Sequence, residues 1–88
     1  MEGDNFQLIY FYGTHCPACK ITRPIINRVI QKHIVVEVNI EEQPVVASNY
    51  EIMSIPTLLV RKDEETIHAF VGTRIRKIEE IWNELMLL

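Results

Sequence analysis

From Phe6 to Tyr12 the chain reads FQLIYFY, an aromatic and branched-aliphatic run with a single polar residue, and it stops at Gly13-Thr14. A run this short and this apolar predicts a strand buried on both faces, hence the centre of a sheet that is covered above and below. At 88 residues the chain has the length of one small domain, residues 1–88, and is too short for two.

The segments that follow supply the cover. Pro17 opens a stretch to about His33 in which Ile21, Ile25, Val29 and Ile30 recur at helical spacing, with Lys20, Arg23, Asn27, Arg28, Gln31 and Lys32 on the other face. Pro24 removes one backbone donor inside it, which predicts a bend. Ile34 to Ile40 (IVVEVNI) reads as a second strand, and the helix before it is long enough for a parallel, right-handed βαβ crossover. Gln43-Pro44 breaks the chain, and Val45 to Glu51 reads as a short helix. Thr57 to Lys62 and Thr66 to Val71 have the spacing of a hairpin around the charged turn Asp63-Glu64-Glu65. Gly72 ends the last strand, and Thr73 is placed to cap a final helix with Ile75, Ile78, Ile81, Trp82 and Leu85 in one stripe. The order β-α-β-α-β-β-α predicts an α/β fold: a four-stranded mixed sheet with helices on both faces.

Composition narrows the function. The formal charge is -3, and the nine Lys and Arg are scattered with no stripe to neutralise a row of phosphates, which argues against nucleic acid as a partner. No segment approaches the ~18 apolar residues that span a bilayer. The acidic start Met1-Glu2-Gly3-Asp4-Asn5 lacks the features of a signal peptide, so a cytoplasmic location is expected; a monomer is expected as well. The C-terminal Leu85-Met86-Leu87-Leu88 reads as helix packing or, alternatively, a partner patch.

The chain has two cysteines, Cys16 and Cys19, in the sequence Cys16-Pro17-Ala18-Cys19 at the junction of strand and helix. One bridge across so short a loop is a poor staple for a fold, so the pair reads as chemical. Cys16 falls at the helix N-cap and Pro17 at the first helical position, where a missing N–H costs nothing. The Cys16 sulfur then accepts from the N–H of Ala18 or Cys19 at the positive end of the helix dipole. Cysteines in such places titrate at roughly 3.5–7.5 instead of ~8.5, which makes Cys16 the nucleophile. Cys19, in the first turn and more shielded, is close enough to attack a mixed disulfide at Cys16 and is the resolving thiol. Zinc would have to recruit its remaining ligands from His15, His33 and His68, so no metal site is expected. An iron–sulfur cluster shared between two chains is the alternative use of a C-P-x-C pair.

FYGTHCPACK, then Pro24, VNIEEQP, SIPTLLV and VGT together resemble the thioredoxin and glutaredoxin superfamily over nearly the whole chain, and most closely its small glutaredoxin-like thioredoxins. The resemblance implies a minimal thioredoxin fold without the opening β-α unit, its second strand at a sheet edge. It implies a redox-active disulfide Cys16–Cys19 in a thiol-disulfide oxidoreductase that reduces protein disulfides in electron transport and cell redox homeostasis. Pro56 would be the family's cis-proline, setting the Ile55 backbone beside Cys16 to pair with an extended substrate. His15, Pro17, Ala18, Ile40, Ile55, Pro56, Gly72 and Thr73 would ring the nucleophile as a docking patch. No bound cofactor is implied; electrons would come from a thioredoxin reductase-like flavoprotein or from glutathione. The alternatives are a glutathione-dependent glutaredoxin, against which Val71-Gly72-Thr73 lacks the paired glycines and aspartate that hold glutathione, and a non-catalytic binding module or cluster carrier.

Two departures concern protons. Thioredoxins place a buried Asp where this chain has Tyr10, and often a Lys on the adjacent strand where it has Glu37. Glu37 is either a replacement base for Cys19, hydrogen-bonded to Tyr10, or a solvated charge that protects an edge strand. His15 either tunes the Cys16 thiolate or only contacts substrate.

Overall fold

The structure, a computed structural model, describes residues 6–81. Strand β1 (Phe6–Tyr12) is central, as its composition requires. It pairs in parallel with β2 (Val35–Asn39) and antiparallel with β3 (Thr57–Lys62), and β4 (Glu65–Val71) completes the order β2-β1-β3-β4. Helix α1 (Pro17–Lys32) makes the crossover from β1 to β2, and the shorter α2 (Pro44–Asn49) precedes β3.

Alternation along β1 feeds two cores. Leu8 and Tyr10 pack with Ile25, Ile26 and Val29 of α1 and with Ile75 and Ile78. Ile9 and Phe11 point the other way, to Val38, Leu59 and Ala47 of α2. Residues 8 to 11 are at most 3% exposed, so burial of each apolar side chain there contributes about 1.5–3 kcal/mol. Edge strand β2 is wetter, with Val36 and Glu37 exposed.

Three local readings are corrected. The buried face of α1 is Cys19, Thr22, Ile25, Ile26 and Val29, while Ile21 and Ile30 are exposed. At about 100° per residue, Thr22, Ile26 and Val29 define the middle of the stripe and positions 21 and 30 fall on its two flanks. The hairpin turn is Asp63-Glu64 alone, since Lys62 pairs with Glu65 and the latter opens β4. The chain after β4 first forms a 3₁₀ segment, Gly72–Lys77, and turns α-helical at residues 78–81, where the described residues end. Thr73 therefore lies inside the 3₁₀ turn and caps nothing; the cap position is Val71, without a side-chain bond. Trp82, Leu85 and the C-terminal apolar run lie outside the described residues.

Arg28 on α1 clamps Glu79 with two parallel bonds, Nε to Oε2 at 2.8 Å and Nη2 to Oε1 at 3.0 Å. Those bonds outweigh the opposing effect of burial and, with the charges of Arg28 and Lys32 added, hold the Glu79 carboxyl below its ordinary value. Because the folded value is depressed, the contribution to stability is present above the unfolded carboxyl's pKa and is lost as pH falls through the folded one. Arg28→Ala should return the Glu79 titration, followed by NMR, to the ordinary range and flatten the acid limb of the stability curve. In the hairpin, Asp63 and Glu64 both have positive φ, 52° and 70°, the geometry of a two-residue turn that favours glycine at its second position. Glu64→Gly should raise stability by about 1 kcal/mol in a denaturant titration; a loss would contradict the reading of the turn.

Candidate functional site

Cys16 and Cys19 are joined in a disulfide at the start of α1, with Cα atoms 5.2 Å apart. Cys16 is the N-cap, in extended conformation, and its Sγ accepts from the Cys19 N–H at 3.1 Å. The Cys19 N–H is shared between that sulfur and the Cys16 carbonyl at 3.0 Å, so both acceptors of the cap residue meet the first turn of the helix. Shielding does not separate the two cysteines: Cys16 is 7% exposed and Cys19 6%. Their asymmetry lies in the cap, which only Cys16 provides.

Gly13 makes the turn out of β1. A β-carbon there would lie 2.7 Å from Ile55 Cδ1, 3.3 Å from Glu41 Oε2 and 3.9 Å from Cys16 Cβ, so three chain segments meet where only glycine fits without displacement. The Ile55–Pro56 bond is cis, as the resemblance implies. The Pro56 carbonyl accepts from the Gly72 N–H at 2.8 Å, which ties the start of the 3₁₀ segment to the proline loop. Gly72 has φ of +63°, a conformation that suits glycine. The structure thus brings Cys16, Ile55, Pro56 and Gly72 into one neighbourhood, with His15, Pro17 and Thr73 exposed and Ala18 half-buried. Ile40 donates its N–H to the carbonyl of Tyr12 at 2.9 Å and lines a hollow with Pro44, Ala47, Ile52 and the exposed Met53.

A pocket of about 240 Å³ opens at the dithiol, walled by Tyr12, Gly13, Thr14, Cys16, Cys19, Lys20 and Arg23. Arg23 was not singled out in the sequence beyond its place on the polar face of α1. Its Nη1 donates to Glu37 Oε1 at 2.6 Å, and its guanidinium lies 5.1 Å from the ring centroid of Tyr10 and 5.2 Å from that of Tyr12. The hydrogen bond expected between Tyr10 and Glu37 is not made. The Tyr10 hydroxyl pairs with Thr22 Oγ1 at 3.0 Å, and Thr22 donates to the Cys19 carbonyl at 3.2 Å. Glu37 shares the sheet face of Tyr10, its register partner, but its carboxylate turns to the guanidinium and does not line the pocket.

A second set of residues the sequence did not announce fixes the loop itself. Asn39 Nδ2 donates to Thr14 Oγ1 at 3.1 Å, Asn39 Oδ1 accepts from the Glu41 N–H at 2.9 Å, and Glu41 Oε2 accepts from the Thr14 N–H at 3.2 Å. The one signal was an amide at the end of an apolar strand, in IVVEVNI. Among the described residues no three His, Cys, Asp or Glu side chains group so as to hold a metal ion, and no helix is long and apolar enough to cross a membrane.

Residues 1–85 match the family model described as Thioredoxin. A thioredoxin of Staphylococcus aureus is 36% identical over 70 residues, which is 75% of this chain and 67% of that protein. Among solved structures, oxidized mitochondrial thioredoxin 3 of Saccharomyces cerevisiae superposes with a TM-score of 0.79 at 26% identity, covering 91% of this chain and 78% of that one. Thioredoxin of Schistosoma mansoni gives 0.81 at 26% identity, covering 96% and 80%.

Asn39 joins both loops and is 8% exposed, so Asn39→Ala strands the Glu41 N–H and frees Thr14. The expected cost is about 1–3 kcal/mol in denaturant unfolding. A change below a few tenths would mean the clamp is dispensable.

Proposed function

The chain belongs to the thioredoxin family, and from that membership we propose distinct roles for Cys16 and Cys19 in the reduction of protein disulfides. It is a thiol-disulfide oxidoreductase whose redox group is the Cys16–Cys19 disulfide. The observation that carries the assignment of roles is the Cys16 Sγ accepting from the Cys19 N–H at the helix N-terminus. In the reduced protein that bond and the helix dipole favour a thiolate at Cys16. The thiolate attacks one sulfur of a substrate disulfide, forming a mixed disulfide and expelling the other sulfur as a thiolate. Cys19 then gives up its proton and attacks Cys16 Sγ; the mixed disulfide breaks and the second substrate sulfur leaves with the electron pair. Two electrons have passed to the substrate, and the protein is left as the disulfide.

An extended substrate segment lies against the Ile55–Pro56 loop in this scheme, pairing with the Ile55 backbone. Gly72 and Thr73 flank it on one side, His15, Pro17 and Ala18 on the other, and Ile40 extends the patch towards the hollow it shares with Met53. Regeneration requires an external donor of two electrons. A flavoprotein of the thioredoxin reductase kind is the first choice, and glutathione the second.

Insulin reduction with dithiothreitol as donor tests the roles. Cys16→Ser should bring the rate to background, whereas Cys19→Ser should accumulate a covalent mixed disulfide visible by non-reducing electrophoresis. Activity that survives Cys16→Ser would overturn the assignment. Turnover with glutathione and its reductase, compared with turnover by a flavoprotein reductase and NADPH, separates the two donors.

A further inference from the structure

Arg23 follows Cys19 by four residues on α1, a spacing that places their β-carbons about 5–6 Å apart on one helix face. Its guanidinium is held by Glu37 at 2.6 Å and by the faces of Tyr10 and Tyr12, rings that are themselves stacked with centroids 5.7 Å apart. A long, ordinarily mobile cation is thereby fixed in the wall of the pocket onto which Cys19 opens. The polar groups bonded next to the Cys19 backbone are neutral, the Thr22 and Tyr10 hydroxyls. The other charged and titratable groups around the dithiol stand differently. Lys20 lines the same pocket but is exposed, His15 is exposed on the loop, and Glu41 is bound to the Thr14 N–H near Cys16.

We propose that Arg23 is a positioning residue for the resolving step, its fixed positive charge stabilising the Cys19 thiolate through which the mixed disulfide is broken. Glu37 and the Tyr10–Tyr12 stack are its mount. In that step the Cys19 thiol loses its proton to solvent water in the pocket, its sulfur bonds to Cys16 Sγ, and the bond from Cys16 to the substrate sulfur breaks. The electron pair departs on the substrate sulfur, which takes a proton from water. A positive charge beside the ionising thiol lowers its pKa and raises the fraction competent to attack at neutral pH. This rests on Cys19 being the resolving thiol.

The test uses the full chain with Cys16→Ser, which leaves Cys19 as its one thiol, and follows thiolate absorbance at 240 nm against pH. Arg23→Met should raise the Cys19 midpoint by about one pH unit, roughly a tenfold loss of thiolate below the midpoint. Arg23→Lys, which keeps the charge, should stay within about half a unit of the parent. Glu37→Gln should move the midpoint down, because a negative charge leaves while the cation stays. A role in packing alone would not produce opposite shifts from the two members of one pair. With both cysteines present, Arg23→Met should slow decay of the mixed disulfide several-fold at neutral pH and recover at alkaline pH. An unchanged midpoint in Arg23→Met, or Arg23→Lys behaving like Arg23→Met, would overturn the proposal. If Arg23→Met does not fold, Glu37→Gln decides it by direction: a midpoint that moves down supports the proposal, and one that stays or moves up overturns it. The titration does not depend on turnover, so an inactive parent in the insulin assay would sink the functional reading and leave the electrostatic one standing or falling by itself.

Discussion

Over residues 8–11 strand β1 has no solvent-facing side, and the position of the reactive sulfurs follows from that. Its four inner residues are held by β2 and β3 in the plane of the sheet and by the two cores above and below. A strand so enclosed delivers the chain at one place, beyond Tyr12, with one outlet in which to turn. Gly13 takes that turn in a space where a β-carbon would strike Ile55 and crowd Glu41. Helix α1 then starts immediately, and the Cys19 N–H in its first turn points back to Cys16, whose carbonyl and Sγ both accept from it. The redox group therefore sits at the carboxyl end of a parallel strand pair, the place where open α/β sheets leave a crevice.

Holding the crevice in shape is a separate task, and it falls to polar contacts between loops. Thr14, Asn39 and Glu41 bind the loop after β1 to the loop after β2, while the Gly72 N–H on the Pro56 carbonyl binds the end of β4 to the proline loop. These bonds join segments remote in sequence, so they determine how accurately Ile55 and Cys16 are held near each other. The hydrophobic cores set the elements in place, and the loop bonds set the spacing within the site.

The parts that were legible in the sequence are those governed by a strong period or a steric rule. A continuous apolar run marked β1, β3 was found with its observed bounds, and Cys-Pro marked the start of α1. What was misread turns on angular detail or on partners far away. Ile21 and Ile30 match a helical repeat as well as Thr22 does, and only the position of the sheet shows that the stripe centres on the threonine and Ile26. Thr73 has the right chemistry for a cap, yet Gly72 at positive φ starts a tighter 3₁₀ turn and leaves the threonine inside it. The Tyr10 hydroxyl was matched to a carboxylate one strand away, when a hydroxyl on the helix above was within reach. Arg23 looked like any lysine or arginine on a wet helix face, because nothing local says that two tyrosine rings and a glutamate converge there.

The contrast between those two sets of partners explains how charge can be kept near the dithiol at tolerable cost. Tyr10 and Thr22 are essentially inaccessible, and a carboxylate in their place would carry a desolvation penalty of several kcal/mol unless it were paired. Two hydroxyls that satisfy each other, with the remaining proton on a backbone carbonyl, avoid the penalty and leave no buried polar group open. The ion pair sits instead at the rim, where Arg23 and Glu37 remain 34% and 35% exposed and solvent still screens them. Screening weakens the field of the pair in a pocket whose other walls are Tyr12, Gly13, Thr14, the two cysteines and the exposed Lys20. Tyr10 and Tyr12 thus serve twice: Tyr10 lies in the core and Tyr12 packs against it, and the faces of both rings hold a half-exposed cation in the wall of the pocket at the dithiol.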